Sequence, residues 1–170
     1  PTGQDLIIRR LGLIRRILVA APALIARVGP IDTPERLSEI GIVSSARLLS
    51  PRDTLALLHR SGETLDLPAP PILRTNDAAV ITATLLHGHA AGPVQQLLVN
   101  HELDEGRLVR LLPDYVVRPT GAFLAYPSVR FMRPAVRAFT DFAVAALRKI
   151  DGIDDTENSP SAFQNTEPKR

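Results

Sequence analysis

The chain has 170 residues, 45% hydrophobic and 22% charged, enough for one domain or two small lobes around a real core. With 20 Lys and Arg against 18 Asp and Glu, the net charge of +2 is too small by itself to bind nucleic acid, which needs a clustered basic surface. The absence of cysteine excludes a disulfide framework and a thiolate metal site, and leans toward a cytoplasmic setting.

No run reaches the roughly 18 to 20 apolar residues that a membrane-spanning helix needs. The chain opens Pro1-Thr2-Gly3-Gln4-Asp5, with neither an initiator Met nor the charged-then-apolar pattern of an export signal, as expected of a trimmed or processed piece. Leu6 to Arg16 is apolar with two arginine pairs, Arg9-Arg10 and Arg15-Arg16, which fit a surface role or the capping of a strand end. Ile17 to Ala21 then reads as a short buried strand ended by Pro22. Pro22 opens a short helix, Ala23 to Arg27, closed by Gly29-Pro30. Thr33-Pro34-Glu35 is a helix start, with a hydroxyl cap, Pro at the first position and a carboxylate near the positive end. That helix is expected to stop near Glu39, before Gly41.

From Gly41 to Arg74 short strand-like runs follow: Ile42-Val43, Thr54 to His59, Thr64 to Leu67 and Ile72-Leu73. Arg60-Ser61-Gly62-Glu63 reads as a hairpin turn. A helix is predicted over Asp77 to Leu86, capped by Asn76 or Thr75, with Ala78, Ile81 and Leu85 on one face. Ala90 to Val94 is a short strand, Gln95 to Leu103 a helix, and Gly106 turns the chain into a strand at Arg107 to Leu112. A polar link, Pro113 to Pro119, precedes a strand over Gly121 to Tyr126. The last helix, Pro134 to about Ile150, carries an apolar stripe of Val136, Phe139, Ala143, Ala146, Leu147 and Ile150, with Arg137 and Asp141 pairing outside. After Gly152 the sequence loses periodicity and reads as a disordered tail. Strands alternating with helices predict an α/β fold with a mostly parallel sheet.

The candidate binding site is Thr75-Asn76-Asp77. A helix start offers unpaired N–H groups and partial positive charge suited to a small anion. Thr75 or Asn76 can equally be a plain helix cap satisfying those donors, and the two roles can coexist. His87 and His89 form an H-x-H pair without a carboxylate or third ligand at suitable spacing, so no metal is expected. No serine sits in a nucleophile-elbow pattern, and glycines occur singly without the phosphate-binding G-K-[ST]. Asp104 and Glu105 are neighbours whose side chains do not converge as a catalytic pair. Nothing in these patterns supports catalysis, so the chain is not expected to be an enzyme, and no cofactor is expected.

The order and spacing of several stretches resemble the effector-binding domain of LysR-type transcriptional regulators. Those stretches are Arg9 to Pro22, Thr33 to Leu37, Thr75 to Val94, Gly106 to Leu112, Ala125 to Ser128 and Val136 to Phe142. The usual glycine-leucine-glycine turn after the cleft helix is Gly88-His89-Ala90 here, and Arg133 stands where a hydroxyl cap is common. The resemblance implies a two-lobed α/β fold of the type II periplasmic-binding-protein kind, crossed twice by the chain. Residues 1–21 would end lobe I and form the first crossover strand, and 22–118 would be a complete lobe II. Residues 119–150 would return to a partial lobe I, with a tail over 151–170.

The same resemblance implies that the winged helix-turn-helix and most of lobe I precede residue 1, leaving the last helix exposed unless a partner chain or lobe II covers its stripe. It also implies an effector site formed by Thr75, Asn76, Asp77, Gly92, Pro93, Val94 and Ala21. Ala20 to Pro22 and Arg118 to Thr120 would neighbour the hinges. The expected function is effector sensing, with a small organic acid as ligand, a homo-oligomer as the working state, and DNA contacted only through a region outside this sequence. A periplasmic-type solute-binding protein is the alternative.

Overall fold

A computed structural model describes residues 6–127 and 134–154. Pro1 to Asp5, Ser128, Arg133 and the tail from 155 onward lie outside the described residues. Two long strands form the spine: β1 (Leu6–Ala20) and β8 (Tyr115–Pro127). They pair antiparallel from Leu6 opposite Pro127 to Arg16 opposite Val117. The short strand expected at Ile17 is thus the end of one 15-residue strand. Its arginine pairs lie within the strand rather than ahead of it.

The expected link Pro113 to Pro119 is mostly strand as well, because β8 starts at Tyr115. The Pro119 that suggests a break sits where the β1–β8 register shifts, between Ile14/Thr120 and Arg16/Val117. A bulge leaves a residue outside the ladder, so a Pro without N–H is tolerated there.

Helix α1 (Pro22–Val28) begins on Pro22, and Gly29 closes it with its N–H bonded to Ile25 O. In α2 (Pro34–Ile40) the Thr33 hydroxyl accepts from Arg36 N, the cap that the sequence predicts. Next come β2 (Ile42–Ser44), β3 (Thr54–His59), β4 (Thr64–Pro68) and β5 (Pro71–Arg74). β3 and β4 form the expected hairpin around Gly62. Helix α3 (Ala78–Leu86) leads to β6 (Gly92–Gln95). The helix expected over Gln95 to Leu103 is instead a 3-10 turn, Gln96–Leu98, and a short α4 (Asn100–Asp104), broken at the buried Val99. Strand β7 (Val109–Leu111) follows Gly106, whose φ of 69° suits glycine.

The main sheet runs β4-β3-β8-β1-β6, with β7 and β9 (Ile153–Asp154) also paired to β1. Its ladders are antiparallel, which corrects the expected mostly parallel sheet. Parallel pairing is confined to β2 with β5 and a single bridge, Ile42 to Ala91. The helices between strands do not act as crossovers within one sheet. They carry the chain away from β1, and β6, β7 and β8 each return against its direction. Successive β1 residues serve two cores: Leu18 and Ala20 join Leu37, Leu55 and Leu57, whereas Ile17 and Val19 join Val43, Leu85 and Leu108.

Helix α5 (Pro134–Leu147) lies along the far end of the β1–β8 ribbon. Its buried residues are Thr140 and Val144. Phe139 is 68% exposed, and Val136, Phe142 and Ile150 are also open, so much of the predicted stripe is left uncovered. Asp141 pairs with Arg9 at 2.8 Å rather than with Arg137, because the strand rather than the next helical turn lies beside it. Past the helix, Ile153 and Asp154 pair with Leu13 and Ile14, so regular structure continues two residues beyond Gly152.

Candidate functional site

A groove of about 300 Å³ opens where the start of α3, strand β6, the loop after β2 and the β1–β8 bulge converge. Leu48, Ile81, Pro93, Val94 and Leu98 make its apolar wall. Its polar lining comes from Ser45, Asn76, Gln95, Thr120 and two arginines, Arg16 and Arg47. Three of the sequence-predicted residues, Asn76, Pro93 and Val94, line this groove; Thr75, Asp77, Gly92 and Ala21 do not.

Each of those four has an evident structural task. The Thr75 hydroxyl accepts from Asp77 N at 3.1 Å, and Thr75 N–H donates to Ser44 O. Asp77 is the cap of α3: its Oδ1 accepts from Ala79 N at 2.8 Å and Val80 N at 3.3 Å. This corrects the expected cap at Thr75 or Asn76, and those two helix-start amides are not bare. Gly92 packs on the backbone of Val43, and Ala21 is buried beneath the turn at Gly88. Asp77→Ala should cost about 1 kcal/mol. Hydrogen exchange at Ala79 and Val80 should accelerate relative to the core of α3, and unchanged rates there would remove the capping role.

The neighbouring arginines of β1 have opposite fates. Arg15 donates from Nε to Asp154 at 2.9 Å and from Nη1 to Gln96, with Asp151 at 3.6 Å. The hydrogen bond to Asp154 leads in holding its guanidinium above the usual arginine range. Arg16 donates to Arg118 O, but among the described residues it has no carboxylate in ion-pair contact. Burial, and then the nearby Arg118, push its guanidinium below the usual range. It remains cationic at neutral pH. A base with a folded-state pKa below its unfolded value subtracts stability while charged, and an anion in the groove would return it.

Thr120 adds a second uncompensated polar atom: its Oγ1 is buried without a hydrogen-bond partner. Thr120→Val keeps the shape and removes that desolvation cost. We expect a gain of about 1 kcal/mol, visible as a higher urea midpoint at unchanged slope. A lower midpoint would mean that the hydroxyl is bonded after all.

Sequence reasoning missed Arg16, Ser45, Arg47, Gln95 and Thr120. One signal was available for Arg16: a charge beside the fully apolar run Ile17 to Ala20, where a buried strand must either pair it or offer it to a ligand. His87 and His89 stack with ring centres 6.1 Å apart on the exposed end of α3, and His87 Nδ1 lies 2.8 Å from Ala83 O. Among the described residues no group of three or more potential ligands converges as a metal site. No described helix is long and apolar enough to cross a membrane.

The sequence profile of the LysR substrate-binding domain matches residues 1–148. The chain belongs to this family. It is 28% identical over 141 residues to the HTH-type transcriptional regulator PtxR of Pseudomonas aeruginosa, covering 83% of this chain and 45% of that protein. The chain thus spans less than half of that relative. Among solved structures, full-length AphB of Vibrio cholerae, described as a virulence activator and LTTR family member, superposes with a TM-score of 0.69 at 21% identity. That superposition covers 86% of this chain and 49% of AphB. The CrgA regulatory domain of Neisseria meningitidis gives 0.65 at 25% identity, covering 86% and 71%. The fold is that of LysR regulatory domains, α/β and of the type II periplasmic-binding-protein kind, here with a curled antiparallel main sheet.

Proposed function

We propose that this LysR domain senses a small anion and passes its binding state to a DNA-binding region of a cytoplasmic transcriptional regulator. The observation that carries the reading is Arg16, half-buried in the groove and unmatched by any described carboxylate. Anion binding would neutralise a charge that has no carboxylate in ion-pair contact among the described residues. The helix-turn-helix regulator among its relatives supports this role over a transport-type solute-binding protein.

In this reading β1 and β8 are the two crossovers, residues 22–118 form lobe II, and 119–150 return to a partial lobe I. The effector site keeps Asn76, Pro93 and Val94, with Thr75, Asp77, Gly92 and Ala21 shaping its surroundings. A ligand acts by favouring one lobe arrangement over another, as far as its affinities for the two differ. The exposed face of α5 would be covered in a homo-oligomer. Phe139→Ser with Phe142→Ser would then reduce association in sedimentation without loss of fold.

The direct test is thermal unfolding with a panel of small carboxylates and their neutral amides at fixed ionic strength. Carboxylates at a hundred times their Kd should stabilise the domain by about 2.7 kcal/mol. The amides should leave the midpoint unmoved. Equal behaviour of acids and amides, or no response to either, would reject anion sensing.

A further inference from the structure

The charges lining the groove specify the ligand more narrowly than anionic. We infer that its ligand is a dicarboxylate with an apolar middle, one carboxylate held by Arg16 and the other by Arg47. The inference rests on the anion-sensing reading above and adds a second charge to it.

Both charged residues that line the groove are cations. Among the described residues neither has a carboxylate in ion-pair contact, although nine such contacts engage other side chains. The nearest acid in sequence to the groove wall, Asp77, is committed to the N–H groups of Ala79 and Val80. Arg118 adds further positive potential at Arg16. A monoanion would leave one of the two cations unmatched.

The remaining wall decides what joins the two charges. Leu48, Ile81, Pro93 and Leu98 present hydrocarbon, which favours methylene or ring carbon over a compact, strongly hydrated dianion such as phosphate. Ser45, Asn76 and Gln95 supply side-chain groups that can bond carboxylate oxygens left over by the arginines. Arg47 is exposed on the loop after β2, so its contribution is that of a solvent-screened pair, smaller than that of half-buried Arg16.

Calorimetric titration of the 170-residue chain with adipate and with monomethyl adipate compares one length at two charges. Glutarate, pimelate and inorganic phosphate complete the panel at constant ionic strength. Adipate or one of its neighbours in length should bind roughly fivefold tighter than its monomethyl ester. Arg47→Gln should erase that advantage while leaving the ester's affinity unchanged, and Arg47→Lys should restore part of it. Equal affinity of diacid and ester, loss of both on Arg47→Gln, or phosphate binding as tightly as adipate would overturn the dicarboxylate. If neither acid binds, or if both bind equally well to Arg16→Gln, the anion-sensing reading itself falls with it.

Discussion

Gly92→Ala is expected to cost about 3 kcal/mol or more, enough to unfold much of a marginally stable domain. A Cβ on Gly92 would lie 2.2 Å from the backbone oxygen of Val43, well inside any real contact. Val43 cannot yield easily, because β2 is held on both sides: it pairs with β5 at Leu73, and its N–H donates to Ala91 O at 2.9 Å. Gly92 is fixed in turn opposite Val19 of the central strand. Gly62→Ala makes the control. Gly62 has a φ of 94° but open space around it, so an added methyl meets only backbone strain, about 1 kcal/mol. Urea unfolding of the two variants measures the difference. Equal costs would mean that β2 and β6 do not touch, and the wall that carries Pro93 and Val94 would have to be redrawn.

Arg16→Gln should have the largest effect on binding. The guanidinium offers a charge and a fork of donors, and Gln retains neither the charge nor the reach. Charge-assisted hydrogen bonds contribute about 1.5 to 3 kcal/mol, so the affinity for a small carboxylate should fall roughly 10- to 150-fold. The ligand-free domain should change little in stability, because the lost bond to Arg118 O is offset by relief of the desolvated charge. Calorimetry on the variant, paired with its thermal midpoint, separates the two effects. A carboxylate that binds Arg16→Gln as tightly as the parent would place the anion elsewhere.

What the sequence conveyed was mainly local. The Thr33 cap, the Pro that opens α1 and α2, the β3–β4 hairpin and β3 from Thr54 to His59 follow from nearest neighbours in the chain, and the structure keeps them, with β2, β4 and β5 each within a residue of the expected ends. The long strands were harder to see. Arg9-Arg10 and Arg15-Arg16 interrupt the apolar run of β1, and Pro119 interrupts β8. Both interruptions sit near bulges or at an open ribbon, where the usual strand rules relax. Strand direction was not legible either, since a β-α-β order fits a parallel crossover until tertiary pairing sends each return strand back along β1. The face of α5 depended on what lies beside it: periodicity found the apolar stripe, but burial falls on Thr140 and Val144.

The site was legible in part for the same reason. Asn76, Pro93 and Val94, which line the groove, stand at a helix start and in a short strand, features that mark themselves in sequence. Thr75 and Asp77 carry the same sequence signal but do not line the groove: their side chains serve the backbone, and only hydrogen-bond geometry distinguishes a cap from a ligand contact. Arg16, Arg47 and Thr120 come from three segments separated by 30 residues or more. Nothing in their local patterns announces that they converge.

Amide and arginine Nε–H resonances followed by NMR during titration with hexanoate test the central claim most directly, because they report where an anion binds as well as whether it does. The largest shifts should fall on Arg16 Nε–H and on the amides of Asn76, Ala78 and Gln95, all of which line the groove. Shifts centred on Arg9 and Arg10, or no saturable shift at all, would contradict it.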